Sequence, residues 1–239
     1  MLERPKRTPE HREIYAKYAD QYELLVSRED FKSNIPRKLN QLATFDATDV
    51  IELGTGTGRL ARLLAPAAKS IHAFDASLNM LKVAAARLRD TELRNWGLAV
   101  ADHRSLPIAD RAADIVISGW SIVYLVVWNE STWESELAKG LAEMRRILRP
   151  GGNIIILETL GTGHVSPQPL ENLVDYYSFL EHQGFSSSWI RTDYRFESLE
   201  EAEEVVSFFF GEAMVDEVVN DGSITLPECT GIWWRKIDE

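Results

Sequence analysis

Short apolar runs alternate with stretches of helical periodicity through the middle of the chain. Five such runs have the length and composition of buried strands, and they cover residues 49–53, 70–75, 98–102, 115–118 and 153–157. Between them, apolar residues recur at helical spacing, as Leu137, Leu141 and Met144 do. Strands that alternate with helices in this way predict a parallel sheet covered by helices on both faces, a doubly wound α/β fold.

The two ends of the chain depart from this alternation. Before the first strand, the pattern predicts helices over residues 8–27 and 30–43, the second of them interrupted at Pro36. Segments 131–134 and 198–201 have the spacing of capping boxes at helix starts. After the fifth strand we predict a loop at 159–169, helices at 170–182 and 199–210, and strands at 187–196 and 230–237.

The first predicted strand ends in a turn with three alternate glycines, Gly54, Gly56 and Gly58. Glycine permits positive φ and lets a ligand approach the backbone, and the helix that follows presents free N–H groups to an anionic group. A dinucleotide-binding turn would have its third glycine where this chain has Arg59. The turn alone leaves three alternatives open, namely another cofactor, a nicotinamide cofactor, or a tight turn without a ligand.

Asp75 ends the second predicted strand, 17 residues after Gly58. In a right-handed βαβ unit, its carboxylate lies at the edge of the sheet beside the glycine turn. A carboxylate at that place accepts hydrogen bonds from both hydroxyls of a ribose. Asp75 therefore predicts a ribose-containing cofactor, and the alternative is a helix cap or a turn residue.

The charge of the chain argues against a nucleic-acid substrate. The formal net charge is −11, and no Lys or Arg occurs between Phe196 and Trp234. The basic residues near the N-terminus are interrupted by acids, so no basic face is expected. The acidic segment is read as a solvated helix face, or as a surface for a basic partner.

The cysteine count and the hydropathy exclude further classes of protein. Cys229 is the single cysteine, so an intrachain disulfide and a cysteine metal cluster are excluded, and we predict no metal site. No apolar stretch approaches the roughly 20 residues that a membrane span needs. Residues 1–12 are charged and lack the apolar segment of a signal peptide. We therefore expect a cytoplasmic protein that does not bind a membrane.

Five features between residues 50 and 158 resemble, in order, the motifs of class I S-adenosylmethionine (SAM) dependent methyltransferases of the type 11-like family. They are the E-x-G-x-G-x-G run from Glu52, then Asp75, Asp102, the L-P…D-I-V-I-S pattern that ends at Ser118, and R-P-G-G at 149–152. The resemblance implies SAM as the cofactor and S-adenosylhomocysteine (SAH) as its product.

The resemblance also implies the architecture. It predicts a Rossmann-like seven-stranded sheet of order 3-2-1-4-5-7-6 with the last strand antiparallel. Residues 1–45 would form a helical lid, residues 46–239 the SAM-binding domain, and residues 159–186 an insertion on the substrate side.

The positions that match the family motifs become the predicted cofactor site. Asp75 would bind the ribose and Asp102 the adenine amino group, with the backbone of His103 beside the same ring. The full predicted set is Tyr22, Glu52, Gly54, Thr55, Gly56, Gly58, Asp75, Ala76, Met80, Asp102, His103, Ser118 and Trp120.

The resemblance says less about the residues that bind the methyl acceptor than about those that bind the cofactor. Many relatives carry a histidine where this chain has Tyr124, which leaves the catalytic role of that position open. We predict Tyr124 and His164 as candidate catalytic residues, and the predicted substrate-binding set is Tyr15, Trp120, Tyr124, Glu158 and Tyr194.

The sequence after the fourth strand, Ser118 to Ser121, differs from the N-P-P-Y type sequence of nucleobase amino methyltransferases. We therefore predict methyl transfer to a small molecule by a monomer or homodimer. The alternatives are a protein acceptor, a SAM-binding protein without catalysis, and a nicotinamide-dependent oxidoreductase. The sequence does not identify the acceptor molecule or which of its atoms is methylated.

Overall fold

A seven-stranded sheet forms the centre of the protein. The computed structural model describes residues 10–219 and 224–238, and all structural statements concern those residues. The sheet has the order β3-β2-β1-β4-β5-β9-β6. Its strands are β1 (Asp49–Leu53), β2 (Ser70–Asp75), β3 (Trp96–Val100), β4 (Ala113–Gly119), β5 (Leu148–Thr162), β6 (Ser186–Arg191) and β9 (Glu228–Lys236).

The predicted strand order is confirmed. The strands from β1 to β5 pair in parallel, and β9 pairs antiparallel with both β5 and β6. The labels differ from the prediction because a separate two-stranded sheet, β7 (Tyr194–Arg195) with β8 (Thr225–Leu226), comes before the last strand.

Helices cover both faces of the sheet. On one face, Leu137 and Leu141 of α7 pack with Val116, and on the other, Leu60 and Leu64 of α4 pack with Ile115. Neighbouring strand residues point to opposite faces, so an apolar run such as 115–117 fills both cores. The helices are α1 (His11–Lys17), α2 (Ala19–Arg28), α3 (Asn34–Leu42), α4 (Arg59–Leu64), α5 (Leu78–Arg89), α6 (Tyr124–Val127), α7 (Trp133–Ile147), a 3-10 turn (Glu171–Leu173), α8 (Val174–His182), α9 (Leu199–Phe210) and α10 (Glu212–Val219).

The N-terminal segment forms three helices instead of the predicted two. The backbone leaves helical geometry at Tyr18 (φ −123°, ψ 39°), which separates α1 from α2. Helix α3 starts only at Asn34, because the Asp30 carboxylate accepts bonds from the N–H groups of Asn34 and Ile35, both at 2.8 Å. Pro36 lies in the first turn of α3, where it does not break the helix. The predicted start at Thr8 lies outside the described residues.

Two further local predictions are wrong. The predicted strand 187–196 is two strands, because the chain turns at Thr192 and Asp193, where the Asp193 carboxylate accepts from the N–H of Glu228 at 3.1 Å. The predicted capping box at 131–134 is absent, since Thr132 is the N-cap and its side chain makes no cap bond. At the second predicted box, Ser198 accepts from the Glu201 N–H at 3.1 Å, as expected.

The described residues contain no helix with the length and apolar composition that crossing a membrane requires.

Candidate functional site

The glycine turn after β1 lies at the carboxyl edge of the sheet and is tightly packed. All three glycines have positive φ: Gly54 at 68°, Gly56 at 54° and Gly58 at 85°. A Cβ on Gly54 would lie 1.6 Å from the Oγ of Ser121, so no side chain fits there. A Cβ on Gly58 would instead meet Ala84 at 3.1 Å, so Gly58 lets α4 pack closely against α5. Sequence analysis placed Gly58 in the cofactor site, and in the structure it lies against α5.

Asp75 stands beside the turn, as predicted. Its carboxylate accepts from the N–H of Gly56 at 2.8 Å and from the N–H of Ser77 at 2.7 Å. Burial raises its pKa from the ordinary value, while these two bonds lower it. Each carboxylate oxygen offers more than one acceptor position, so the group fixes the turn and still has capacity for ligand hydroxyls.

The loop after β3 brings two further predicted residues to the same place. Asp102 accepts from the guanidinium of Arg104 at 2.6 Å, and this contact lowers the pKa of Asp102 to about 2. His103 is half-buried, and its Nε2 lies 2.9 Å from the Oγ of Ser121. Burial lowers the pKa of His103 to about 4, so the ring is neutral, and its Nδ1 has no partner among the described residues.

These groups line a cavity of about 460 Å³, hereafter the larger cavity. Its walls are Arg12, Tyr15, Ala16, Tyr22, Gly54, Gly56, Asp75, Ala76, Ser77, Met80, Ala101, Asp102, His103, Arg104, Gly119, Trp120, Ser121, Tyr124, Leu125, Trp128 and Asn129. The donor and acceptor set fits a nucleoside with a polar tail, because Asp75 can accept from ribose hydroxyls and Asp102 from an exocyclic amine. The cavity volume also lies in the range of pockets that bind cofactors.

A second cavity of about 300 Å³, hereafter the smaller cavity, adjoins the larger one. It extends between the N-terminal helices, the end of β5, the segment after it, and α9. Its other walls include Glu29, Glu52, Thr55, Arg59, Glu158, Tyr194, Phe209, Phe210 and Glu228. The residues that line both cavities are Tyr15, Tyr22, Gly54, Gly119, Trp120 and Tyr124.

A chain of hydrogen bonds runs along this shared wall. The hydroxyl of Tyr124 lies 2.5 Å from that of Tyr15 and 2.8 Å from Nδ1 of His11. Burial raises the pKa of both tyrosines, so they keep their protons at neutral pH. Tyr124 is therefore equipped to donate or relay a hydrogen bond, and it is a poor proton acceptor.

Arg59 connects the glycine turn to the N-terminal helices. Its guanidinium lies 2.5 Å from Oε2 of Glu29, just after α2, and 4.8 Å from the ring centre of Trp120. Trp120 has a φ of 50°, in the left-handed region, which aims its ring into the wall between the cavities. Sequence analysis noted only that Arg59 replaces the third glycine of a dinucleotide-binding turn. It did not predict the ion pair with Glu29.

Three deeply buried carboxyl groups face the smaller cavity. Glu52 accepts from the Thr55 hydroxyl at 2.9 Å, and Glu158 accepts from the N–H of Val123 at 3.2 Å and from the Tyr176 hydroxyl at 3.1 Å. Burial raises the pKa of Glu52, Glu158 and Glu228 to about 8 each. Glu52 and Thr55, which sequence analysis placed in the cofactor site, thus line the smaller cavity.

Besides Gly58, two predicted residues line neither cavity. Ser118 is fully buried, and its Oγ accepts from the N–H of Ile122 at 3.2 Å, so it stabilises the turn after β4. His164 is exposed and lines neither cavity, and its carbonyl accepts from Cys229 Sγ at 3.4 Å. His164 is therefore not retained as a catalytic candidate. Among the described residues, no cluster of three or more potential ligands could hold a metal ion.

The chain has relatives in sequence. Residues 50–152 match the family model of a methyltransferase domain. The demethylmenaquinone methyltransferase of Thermotoga maritima is 30% identical over 62% of this chain and 60% of that protein. The malonyl-(acyl-carrier protein) O-methyltransferase of Marinomonas sp. is 32% identical over 56% of this chain and 46% of that protein. The chain spans about half the length of the curated relatives it matches.

The fold has solved counterparts. A phosphoethanolamine N-methyltransferase of Haemonchus contortus, solved with phosphomonomethylethanolamine and SAH, superimposes with a TM-score of 0.60 over 92% of this chain and 57% of that chain. At 18% identity, this likeness shows the fold alone. The matched family model covers β1 to the start of β5, which holds the glycine turn, Asp75 and Asp102. Residues 50–152 therefore form a methyltransferase domain, which confirms the predicted resemblance to the class I SAM-dependent methyltransferases and SAM as the cofactor.

Proposed function

We propose that this protein transfers the methyl group of SAM, held in the larger cavity, to a small molecule held in the smaller cavity. The observation that carries the proposal is the shared wall, because the two cavities meet at Gly54, Trp120 and Tyr124. Two ligands that share such a wall lie next to each other without a solvent layer between them. SAM supplies an activated methyl group on a positively charged sulfur.

The proposed cofactor residues are those of the larger cavity. Asp75 would accept from the ribose hydroxyls, and Asp102 would accept from the adenine amine. Met80 and Ala76 would pack against the ring, and the unpartnered Nδ1 of His103 would receive a hydrogen bond from the ligand or a water molecule.

The protein's contribution to the rate would be mainly orientation. Holding two reacting groups in alignment is worth roughly 7–11 kcal/mol. Tyr15 and Tyr124 would position the acceptor through their linked hydroxyls, and Trp120, stiffened by Arg59, would keep water out. Glu158 is the proposed proton acceptor, because burial raises its pKa to about 8, close to the working pH.

The walls of the smaller cavity support a small-molecule acceptor. Its volume of about 300 Å³ is at the lower end of the range for small-molecule sites. Tyr15 and Tyr22 come from the proposed lid and Leu170 and Leu173 from the proposed 159–186 insertion, so both additions would build the acceptor site. Relatives named for a quinone precursor and for a carrier-bound malonyl group are compatible with this substrate class.

The test is to offer labelled SAM separately to a protein-free metabolite pool and to a protein lysate. We expect label in a small molecule from the first pool, identified by mass spectrometry. The Asp75→Asn variant is the control, since it should bind SAM weakly. Label that enters macromolecules alone would replace this proposal by a protein acceptor docking on the acidic 197–217 segment. Stabilisation against heat by NAD in place of SAM would contradict the methyltransferase function.

A further inference from the structure

The smaller cavity has an unusual charge composition. Four carboxyl groups line it, those of Glu29, Glu52, Glu158 and Glu228, together with the guanidinium of Arg59. Glu52 is 2% exposed, Glu158 and Glu228 are 1% exposed, and the Glu29 side chain is 5% exposed. Burying carboxyl groups is costly unless partners compensate for the lost water. Each of these buried carboxyl groups therefore needs a hydrogen-bond or ion-pair partner.

Two of these carboxyl groups have an oxygen without a partner. Glu228 accepts from the Thr159 hydroxyl at 2.7 Å through Oε1, and its Oε2 has no partner in the described part of the chain. Glu29 binds Arg59 through Oε2, and its Oε1 likewise has no partner there. Both residues line the smaller cavity. A buried oxygen that has no hydrogen-bond donor favours a ligand that donates hydrogen bonds.

The cationic groups of the cavity wall are already engaged or neutral. Arg59 is paired with Glu29 and lies over Trp120. Burial lowers the pKa of His11, which favours its neutral form. The other ionisable groups that interact with Glu29 or Glu228 are Tyr22, Asp30, Tyr177, Asp193, Tyr194 and Cys229, none of them a cation. The described wall therefore offers carboxyl groups to a ligand, and its cationic groups are not free to pair with them.

Most of the remaining wall residues are aromatic or apolar. Tyr22, Tyr194, Phe209 and Phe210 lie around the same space as the carboxyl groups. Aromatic faces attract cations and also bury apolar surface. A ligand that satisfies this wall has an apolar body and a positively charged, hydrogen-donating end.

We propose that the smaller cavity binds a small apolar molecule that carries a protonated amine, whose N–H groups donate to Glu228 and Glu29. The inference rests on the proposed function, in which this molecule is the methyl acceptor through a nucleophilic atom other than the ammonium nitrogen, which has no free electron pair. Without a cation in the cavity, burial keeps the pKa of Glu228 at about 8 and the carboxyl group largely protonated. An ammonium group would favour the ionised form and thereby gain a charge-assisted pair.

The test measures binding to the SAH-saturated protein by calorimetry, without any methyl transfer. The probes are two sets that differ only in the charged end: 2-phenylethylamine, 2-phenylethanol and phenylacetate, and hexylamine, hexanol and hexanoate. We expect at least one amine to bind about tenfold or more tightly than its alcohol, and the carboxylates to bind more weakly than both. Equal or tighter binding of the alcohols or carboxylates would overturn the proposal, as would the absence of amine binding in both sets.

A matched pair of variants tests the assigned oxygens. Glu228→Gln keeps the acceptor for Thr159 and removes the negative charge, so amine binding should fall about tenfold while alcohol binding stays within about twofold. If Glu228→Gln fails to fold, Glu158→Gln is the second variant. Its expected loss of amine affinity is smaller, because the Glu158 carboxyl group already accepts two hydrogen bonds from protein donors. Glu200→Gln on the exposed face of α9 should leave all affinities unchanged. An unaltered amine-to-alcohol ratio in Glu228→Gln would overturn the proposal.

The two proposals fail in different ways. If the amine binds and no methylated product forms from any acceptor, the amine site stands and the proposed function falls. If SAM is consumed with a neutral or anionic acceptor while the amines do not bind, the proposed function stands and the amine site falls.

Discussion

The larger and the smaller cavity lie on either side of Trp120 and Tyr124, and they hold their carboxyl groups in different ways. In the larger cavity, Arg104 keeps Asp102 ionised, with a pKa of about 2. In the smaller cavity, burial raises the pKa of Glu158 and Glu228 to about 8. The first arrangement presents a fixed negative charge to its ligand, whereas the second presents charge only when the ligand favours it.

The two cavities also differ in how the chain builds them. Apart from four residues of α1 and α2, the larger cavity is lined by residues between Gly54 and Asn129, on consecutive turns at one edge of the sheet. The smaller cavity joins residues from His11 to Glu228, so its walls come from elements far apart in sequence. A cofactor common to many proteins can be held by a contiguous motif, while an individual acceptor needs walls that vary independently of it.

The largest expected effect is on the larger cavity, from Asp75→Ala. Removing a carboxylate that accepts from ligand hydroxyls should weaken SAH binding by about 2–3 kcal/mol. The measurement is calorimetry, with circular dichroism to confirm that the turn still folds without the bond to Gly56. Asp102→Ala is the comparison and should cost less, because Arg104 already occupies that carboxylate. Unchanged affinity in Asp75→Ala would remove Asp75 from the site.

The next effect concerns stability in the smaller cavity. The pKa of Glu158 is about 8 in the folded protein, above the ordinary value of 4.5, so the folded state retains a proton that the unfolded state loses as pH rises between these values. The free energy of unfolding should therefore fall across that window. Glu158→Gln removes this loss and should be more stable than the parent by about 1–3 kcal/mol at pH 8, with little difference at pH 4.

Urea denaturation at both pH values measures this difference. The exposed Glu200→Gln variant is the control and should follow the parent at each pH. A Glu158→Gln effect of the same size at pH 4 and pH 8 would mean that folding does not raise the pKa of Glu158, and the contrast between the cavities would then be lost.

A smaller effect is expected at the shared wall. Tyr124→Phe removes one hydroxyl from the pair with Tyr15 and should lower kcat by roughly fivefold, the equivalent of about 1 kcal/mol. Because burial keeps Tyr124 protonated, the pH profile of kcat should keep its shape. The double variant with Tyr15→Phe should lose little more than Tyr124→Phe alone, since removing the Tyr124 hydroxyl already breaks its bonds to Tyr15 and His11. A new pH dependence in Tyr124→Phe would instead indicate that the hydroxyl takes part in proton transfer.

The smallest effect is on dynamics. Tyr15 and Tyr22 line both cavities, so α1 and α2 would close over the bound cofactor. Amide hydrogen exchange of residues 10–28 should slow when SAH binds, while exchange in α7 stays unchanged. Equal exchange in residues 10–28 with and without SAH would contradict the proposed lid.

The core of the fold was predictable because each parallel strand contains several apolar residues, and a run such as 115–117 is buried on both faces of the sheet. Asp75 was predictable because a right-handed βαβ unit brings the end of β2 to the turn after β1. Glu29 and Glu228 were not, since each is an acid near the end of an ordinary helix or strand, and only tertiary packing buries it. The split of strand 187–196 was missed for the same reason, because the carboxylate of Asp193 binds the N–H of the distant Glu228.

Gly54 has a consequence for the evolution of this site. A Cβ there would collide with the Oγ of Ser121, and that hydroxyl is the partner of the Nε2 of His103. A lineage that replaces Gly54 must also shorten residue 121 to glycine, which in turn leaves the imidazole of His103 without its bond. Positions 54, 103 and 121 should therefore covary: among homologous sequences they should either change together or remain as they are.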